Sequence, residues 1–208
     1  MKITNEMLTD LRAAIVPYLT GKRLEHTLAV EECAAELGKV YLPEQVEKLR
    51  AAALLHDITK RVDTEKQLQY CAEFGIMVSE NDLRSPKIFH AKTAAALIGR
   101  DFPSYADPDV VSGVRWHTTG HDGMTDFEAI VYLADYIEAT RTFPDCVTLR
   151  QYFYGELEKA HTAAERETAL QKTMLLAFDM TIRILMEESA PIDSDTIAAR
   201  NYYLCKLK

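Results

Sequence analysis

The sequence predicts an all-α protein, a single helical bundle of about nine or ten helices. Three observations carry this reading. Helix start signals recur along the chain, apolar residues between them return at intervals of three and four, and strand signals are weak. No internal repeat or low-complexity linker interrupts the pattern. The 208 residues suffice for a substantial core. We read them as one domain over 1–208, with ligand-bearing helices at about 20–141 and C-terminal helices at 146–208 packed on them.

The elements follow in order. Helices are expected near residues 4–18 and 20–40, and Pro43 opens a third over 43–57. Two more fall near 64–74 and 88–100. Asp107-Pro108 reads as an N-cap followed by proline at the first helical position, starting a helix over 108–118. "TDFE" (Thr125 to Glu128) and "TAAE" (Thr162 to Glu165) match the capping box, in which the first and fourth side chains satisfy each other's backbone N–H groups. They begin helices near 126–141 and 163–188. The remaining two lie near 146–160 and 194–206, and Gly75, Gly99 and the Gly120/Gly123 pair mark helix ends.

Composition narrows the function classes. Hydrophobic residues at 48% and charged residues at 27% suit a soluble globular protein. A net charge of −8 argues against binding nucleic-acid polymers or anionic membranes, which need basic surfaces. No apolar run approaches the roughly 20 residues that span a bilayer, and "MKITNEMLTDLRAA" lacks the apolar core of a signal peptide. Cys33, Cys71, Cys146 and Cys205 lie far apart without a C-x-x-C pair, which suits reduced thiols. A cytoplasmic location is expected. Homodimerisation stays open, since no heptad or long apolar face marks the surface.

The stretch "AAALLHDITK" at residues 51–60 poses the functional question. An apolar helix ends there in His56 and Asp57, and a buried carboxylate is costly unless it is paired or binds a metal. His56 continues a stripe with Val46, Leu49 and Ala53. His26 lies on one with Val30, Cys33 and Leu37, and His90 on one with Ala94 and Leu97. His117 aligns with Val110, Gly113 and Val114, and Asp135 is a lone carboxylate within the run Ile130 to Ile137. One inward histidine is ordinarily a hydrogen-bonded core residue. Four of six, with two embedded carboxylates, would need an elaborate network to be satisfied separately. One metal site on facing helices satisfies them together.

The order H…HD…H…H…D resembles the HD-domain superfamily of metal-dependent phosphohydrolases, which are helical. His26 matches its first histidine, His56-Asp57 the doublet that names it, Asp135 the closing aspartate, and Lys60 the lysine of "HDxxK". The finer detail resembles the YqeK family. "KRLEHTLAV", "LLHDITK", "HAKTAA", "RWHTTG", "LADYIEATR" and "DTIAARNYYL" carry that likeness from residue 22 to about 203. One departure is Ala139, where a proline is expected after "ADYIE".

The resemblance implies symmetrical hydrolysis of diadenosine tetraphosphate to two ADP, with iron as the metal. Mixed His/carboxylate ligation is equally compatible with manganese or another divalent ion. His26, His56, Asp57 and Asp135 are the candidate ligands. A second ion would take Asp57 as a bridge with His90 and His117; with one ion, those two histidines bind phosphate or shuttle a proton. Asp57, His90, His117 and Lys60 are therefore the catalytic candidates. Arg23 and Arg141 match family arginines set against a nucleotide diphosphate. Thr118 offers a hydroxyl and a backbone N–H, and Thr196 matches a segment that closes over the nucleotide. With His26, His90, His117 and Asp135, these four residues are expected to line the substrate site.

Other polar residues are expected to serve structure. The "TTG" break separates His121 from His117, and His161 near a helix C-terminus is favourable for dipole reasons alone. Glu138, three residues after Asp135, is placed to orient a ligand. Trp116, Tyr132 and Tyr136 read as core or pocket wall, and "MEES" as a solvated face. Two other functions compete: an HD phosphohydrolase for a nucleoside mono-, di- or triphosphate or an alarmone, and a non-catalytic nucleotide sensor. The complete ligand set speaks against the sensor.

Overall fold

The computed structural model describes residues 2–208, and its regular elements among those residues are all helical. The α-helices are α1 (Asn5–Ala14), α2 (Lys22–Tyr41), α3 (Val46–Leu55), α4 (Thr64–Glu73), α5 (Glu80–Arg84) and α6 (Phe89–Asp101). They continue with α7 (Pro108–Trp116), α8 (Asp126–Ile137), α9 (Pro144–Lys159), α10 (Ala163–Glu187) and α11 (Ser194–Lys206). Single 3-10 turns, each opened by a proline, precede α3 and α6 and follow α6.

The start signals act as expected. Thr125 accepts from the backbone N–H of Glu128 while Glu128 accepts from that of Thr125, and Thr162 and Glu165 repeat the arrangement for α10. Asp107 caps α7 ahead of Pro108. Two differences are informative. The five-residue α5 falls outside the expected set because it is too short for an apolar period; its own capping box, Ser79 with Asp82, is what holds it. Helix α8 ends at Ile137, four residues before the expected 141. Glu138 turns to extended backbone, and its carboxylate accepts from Thr140 N at 2.5 Å and Thr140 Oγ1 at 2.8 Å.

Helix α3 lies in the middle, packed by α1, α2, α6, α7 and α8, and its run Ala51–Leu55 is wholly buried. Burying each leucine contributes about 1.5–3 kcal/mol, so this helix anchors the core. Close approach sets the rest. A methyl group on Gly113 of α7 would lie 2.9 Å from the Phe127 ring of α8, so glycine lets the two helices meet just before His117. Helices α9, α10 and α11 continue the packing from α8, where the Phe178 ring sits between those of Tyr132 and Tyr203. The ends of α2, α3, α6, α7 and α8 converge at one place.

Candidate metal centre

Helix ends aim the histidines. His56 caps the C-terminus of α3 and His117 that of α7, where backbone carbonyls run short of intrahelical donors. The Nδ1–H of His56 donates to Ala53 O at 2.6 Å, and that of His117 to Val114 O at 2.7 Å. His90, in the first turn of α6, repeats the pattern on Lys87 O at 2.6 Å. His26 turns its Nδ1 to the buried Glu138 carboxylate at 3.0 Å. With Nδ1 so engaged, each ring presents Nε2 to a common centre.

Asp57 stands between two histidine pairs. Its Oδ2 lies 3.4 Å from His56 Nε2 and 3.9 Å from His26 Nε2. Its Oδ1 lies 3.3 Å from His90 Nε2 and 3.8 Å from His117 Nε2. Asp135 Oδ1 meets His56 Nε2 at 3.7 Å and His26 Nε2 at 2.9 Å, the latter off the line of a hydrogen bond. Arginines close the open sides: Arg23 Nη1 is 2.7 Å from Asp57 Oδ2, and Arg141 Nη2 is 2.6 Å from Asp135 Oδ1.

Protonation suits a cation. Burial would raise Asp57, but the His56, His117 and His90 rings hold it well below the usual carboxylate range. Burial likewise opposes ionisation of Asp135, and Arg141, His26 and His56 overcome it. Burial pushes His90 down to about 4 and also lowers His117, so both rings are neutral donors at pH 7. His26 differs: burial is outweighed by the Asp135 and Glu138 carboxylates, which raise the ring to about 9, so a metal bound there would displace the Nε2 proton. The Nε2 atoms of His26 and His56 are buried without a hydrogen-bond partner. Orphaned ring nitrogens beside ionised carboxylates are what a divalent metal would satisfy. Ligand atoms of His26, His56 and Asp57 lie within 4.8 Å of one another, as do those of His56, His117 and Asp135 and those of Asp57, His90 and His117.

The HD domain family model matches residues 23–140, which contain every residue of the cluster. The chain belongs to the HD domain family. A Halalkalibacterium halodurans protein named "Bis(5'-nucleosyl)-tetraphosphatase, symmetrical" is 33% identical over 93% of this chain and 95% of its own. A Bacillus subtilis protein of the same name is 30% identical over 91% and 94%. A Clostridium acetobutylicum crystal structure, described as a "predicted HD superfamily hydrolase involved in NAD metabolism", superposes with a TM-score of 0.81. It is 30% identical, and the match covers 95% of this chain and 97% of the other.

The remaining candidates of this HD domain divide between two cavities. Thr118 Oγ1 lies 3.2 Å from His90 Nε2 and 3.1 Å from His117 Nε2, and Lys60 Nζ lies 3.1 Å from His90 Nε2. Lys60 is an exposed residue, yet desolvation of its ammonium lowers its pKa against the pull of Asp57 and Asp135. Thr118 and the buried Thr196 line one cavity of about 350 Å³. Arg23 and Arg141 line another, of about 620 Å³. From the sequence, all four are expected to line one substrate site, with Thr196 on a segment that closes over the nucleotide.

His121 stays outside the cluster: its Nε2 reaches Glu128 at 3.1 Å while its ring packs on Trp116. His161 is exposed. Arg150 of α9 is a residue the sequence reading missed. It donates to the carbonyls of Ile137 at 2.6 Å, Arg141 at 2.8 Å and Glu138, clamping the loop between Asp135 and Arg141. No spacing rule flags it, because its partners are backbone groups of another element.

Proposed function

We propose that this HD-domain protein hydrolyses diadenosine tetraphosphate symmetrically to two ADP, the activity its relatives' name describes. The observation that carries this reading is the buried Asp57, whose two oxygens face separate histidine pairs. His26, His56, Asp57 and Asp135 would hold an iron ion, with manganese or another divalent metal as substitutes. Asp57 Oδ1, His90 and His117 would hold a second. Once bound, the metal supplies a Lewis acid for the phosphoryl oxygens and lowers the pKa of a water.

The protein's own groups do the rest. Arg23 and Arg141 exchange Asp57 and Asp135 for phosphate oxygens, where a guanidinium forms charge-assisted hydrogen bonds. Thr118 donates a hydroxyl beside His90 and His117. Where one metal is present, those two neutral rings bind phosphate or pass a proton. Lys60, with its lowered pKa, delivers a cation or a proton at His90. These local cations offset the repulsion between a polyphosphate and a chain of net charge −8. We place the protein in the cytoplasm, a reading supported by its four free cysteines. No helix among the described residues is long and apolar enough to cross a membrane.

The test is metal analysis of protein purified with iron retained, followed by product chromatography over a nucleotide panel. Diadenosine tetraphosphate should be the best substrate, and chelation should abolish turnover. A preference for mononucleotides would overturn the assignment.

A further inference from the structure

Two cavities flank the metal cluster, and Lys60 lies in the wall of both. Their chemistry differs. The smaller sets apolar Ile88, Leu185 and Pro191 around the hydroxyls of Thr118, Thr181 and Thr196, with Lys60, Arg84, Lys87 and Asp193 also in its wall. Apolar walls with a few convergent polar groups are what a nucleoside needs. The larger brings Lys22, Arg23, Lys60 and Arg141 together against Glu25 and Glu138. Its rim carries Phe143, 69% exposed at the start of α9, a large apolar ring with no core function.

We propose that each cavity takes one end of a single dinucleoside tetraphosphate: the smaller encloses one nucleoside, and the larger holds the distal half with its base stacked on Phe143. This rests on the functional reading above. Cleavage at the centre of the phosphate chain requires that chain to lie across the metal cluster with its nucleosides leaving in opposite directions. The positions of Arg23 and Arg141 on one side and Thr118 and Thr196 on the other provide for that. The substrate is symmetric but its surroundings are not. One base is enclosed, while the other rests on an open ring whose stacking tolerates any base. The enzyme therefore reads one nucleoside closely and the other loosely.

The test compares diadenosine tetraphosphate with adenosine 5'-tetraphosphate, which keeps one nucleoside and the phosphates but lacks the second nucleoside. Phe143→Ala should raise KM for the dinucleotide roughly five-fold or more, the lower end expected for lost base–aromatic stacking, with kcat unchanged. The inhibition constant of adenosine tetraphosphate should not move, and Phe143→Trp should restore KM. Leu185→Trp, which fills the smaller cavity, should weaken both ligands. Equal effects of Phe143→Ala on the two ligands, or none on either, would overturn the proposal, as would wild-type affinities in Leu185→Trp. Wild-type protein that leaves the dinucleotide uncut would overturn the functional reading instead. The two affinities, measured by calorimetry, would then still decide the cavity assignment.

Discussion

A histidine ligand is aimed by what its other nitrogen does. His56, His90 and His117 each spend Nδ1 on the carbonyl three residues back, and His26 spends it on Glu138. Asp57 is the residue they share. Asp57→Ala should strip most bound metal and abolish turnover with the helical fold retained, and His56→Ala should do the same. Metal analysis beside circular dichroism reads this, and activity within a few-fold of wild type would refute the site. Losing one ligand collapses the group, so combined substitutions should cost little more than single ones. Arg23→Ala or Arg141→Ala should weaken ADP binding by roughly 1.5–3 kcal/mol and leave metal content unchanged. Calorimetry showing wild-type affinity in both would return these arginines to the surface. The clustered histidines and aspartates are legible as candidate ligands because a polar residue on an apolar stripe stands out in sequence. Arg150 was not, since nothing in sequence says which backbone carbonyls an arginine will meet.

At the scale of elements, helix ends build the site, and helix ends are where spacing rules are weakest. The stripes on α2, α3, α6 and α7 and the caps of α7, α8 and α10 could be read directly. The early stop of α8 could not. It depends on Glu138 bonding Thr140 and on Arg150 reaching across from α9, both tertiary events. The turn after His117 shows the same dependence. Gly120 has φ +63°, and a methyl group there would lie 2.6 Å from the Phe178 ring and 2.9 Å from Ala199. Gly120→Ala incurs the left-handed backbone penalty, about 1–2 kcal/mol, and an overpacking penalty of about 1–3 kcal/mol. Chemical denaturation should show destabilisation of at least about 1 kcal/mol, with weaker metal retention as His117 shifts. Unchanged stability would mean that the α7–α8 turn repacks freely.

Across the whole molecule, five helices bring their ends to one cluster, and a cavity opens on either side of it. Composition indicated a soluble acidic protein and left the local cations invisible. The division of Arg23 and Arg141 from Thr118 and Thr196 is equally absent from a linear reading, because Arg23, Thr118 and Arg141 each lie close to a candidate ligand in sequence and Thr196 lies far from all of them. On the proposed placement, that division would set the phosphate chain beside the metal cluster with its middle bond at the site of attack. Cleaving diadenosine tetraphosphate in water enriched in heavy oxygen tests this most directly. The account predicts ADP as the sole nucleotide product, with one heavy oxygen in the terminal phosphate of half the molecules. AMP and ATP as the main products, with the label in either, would contradict it.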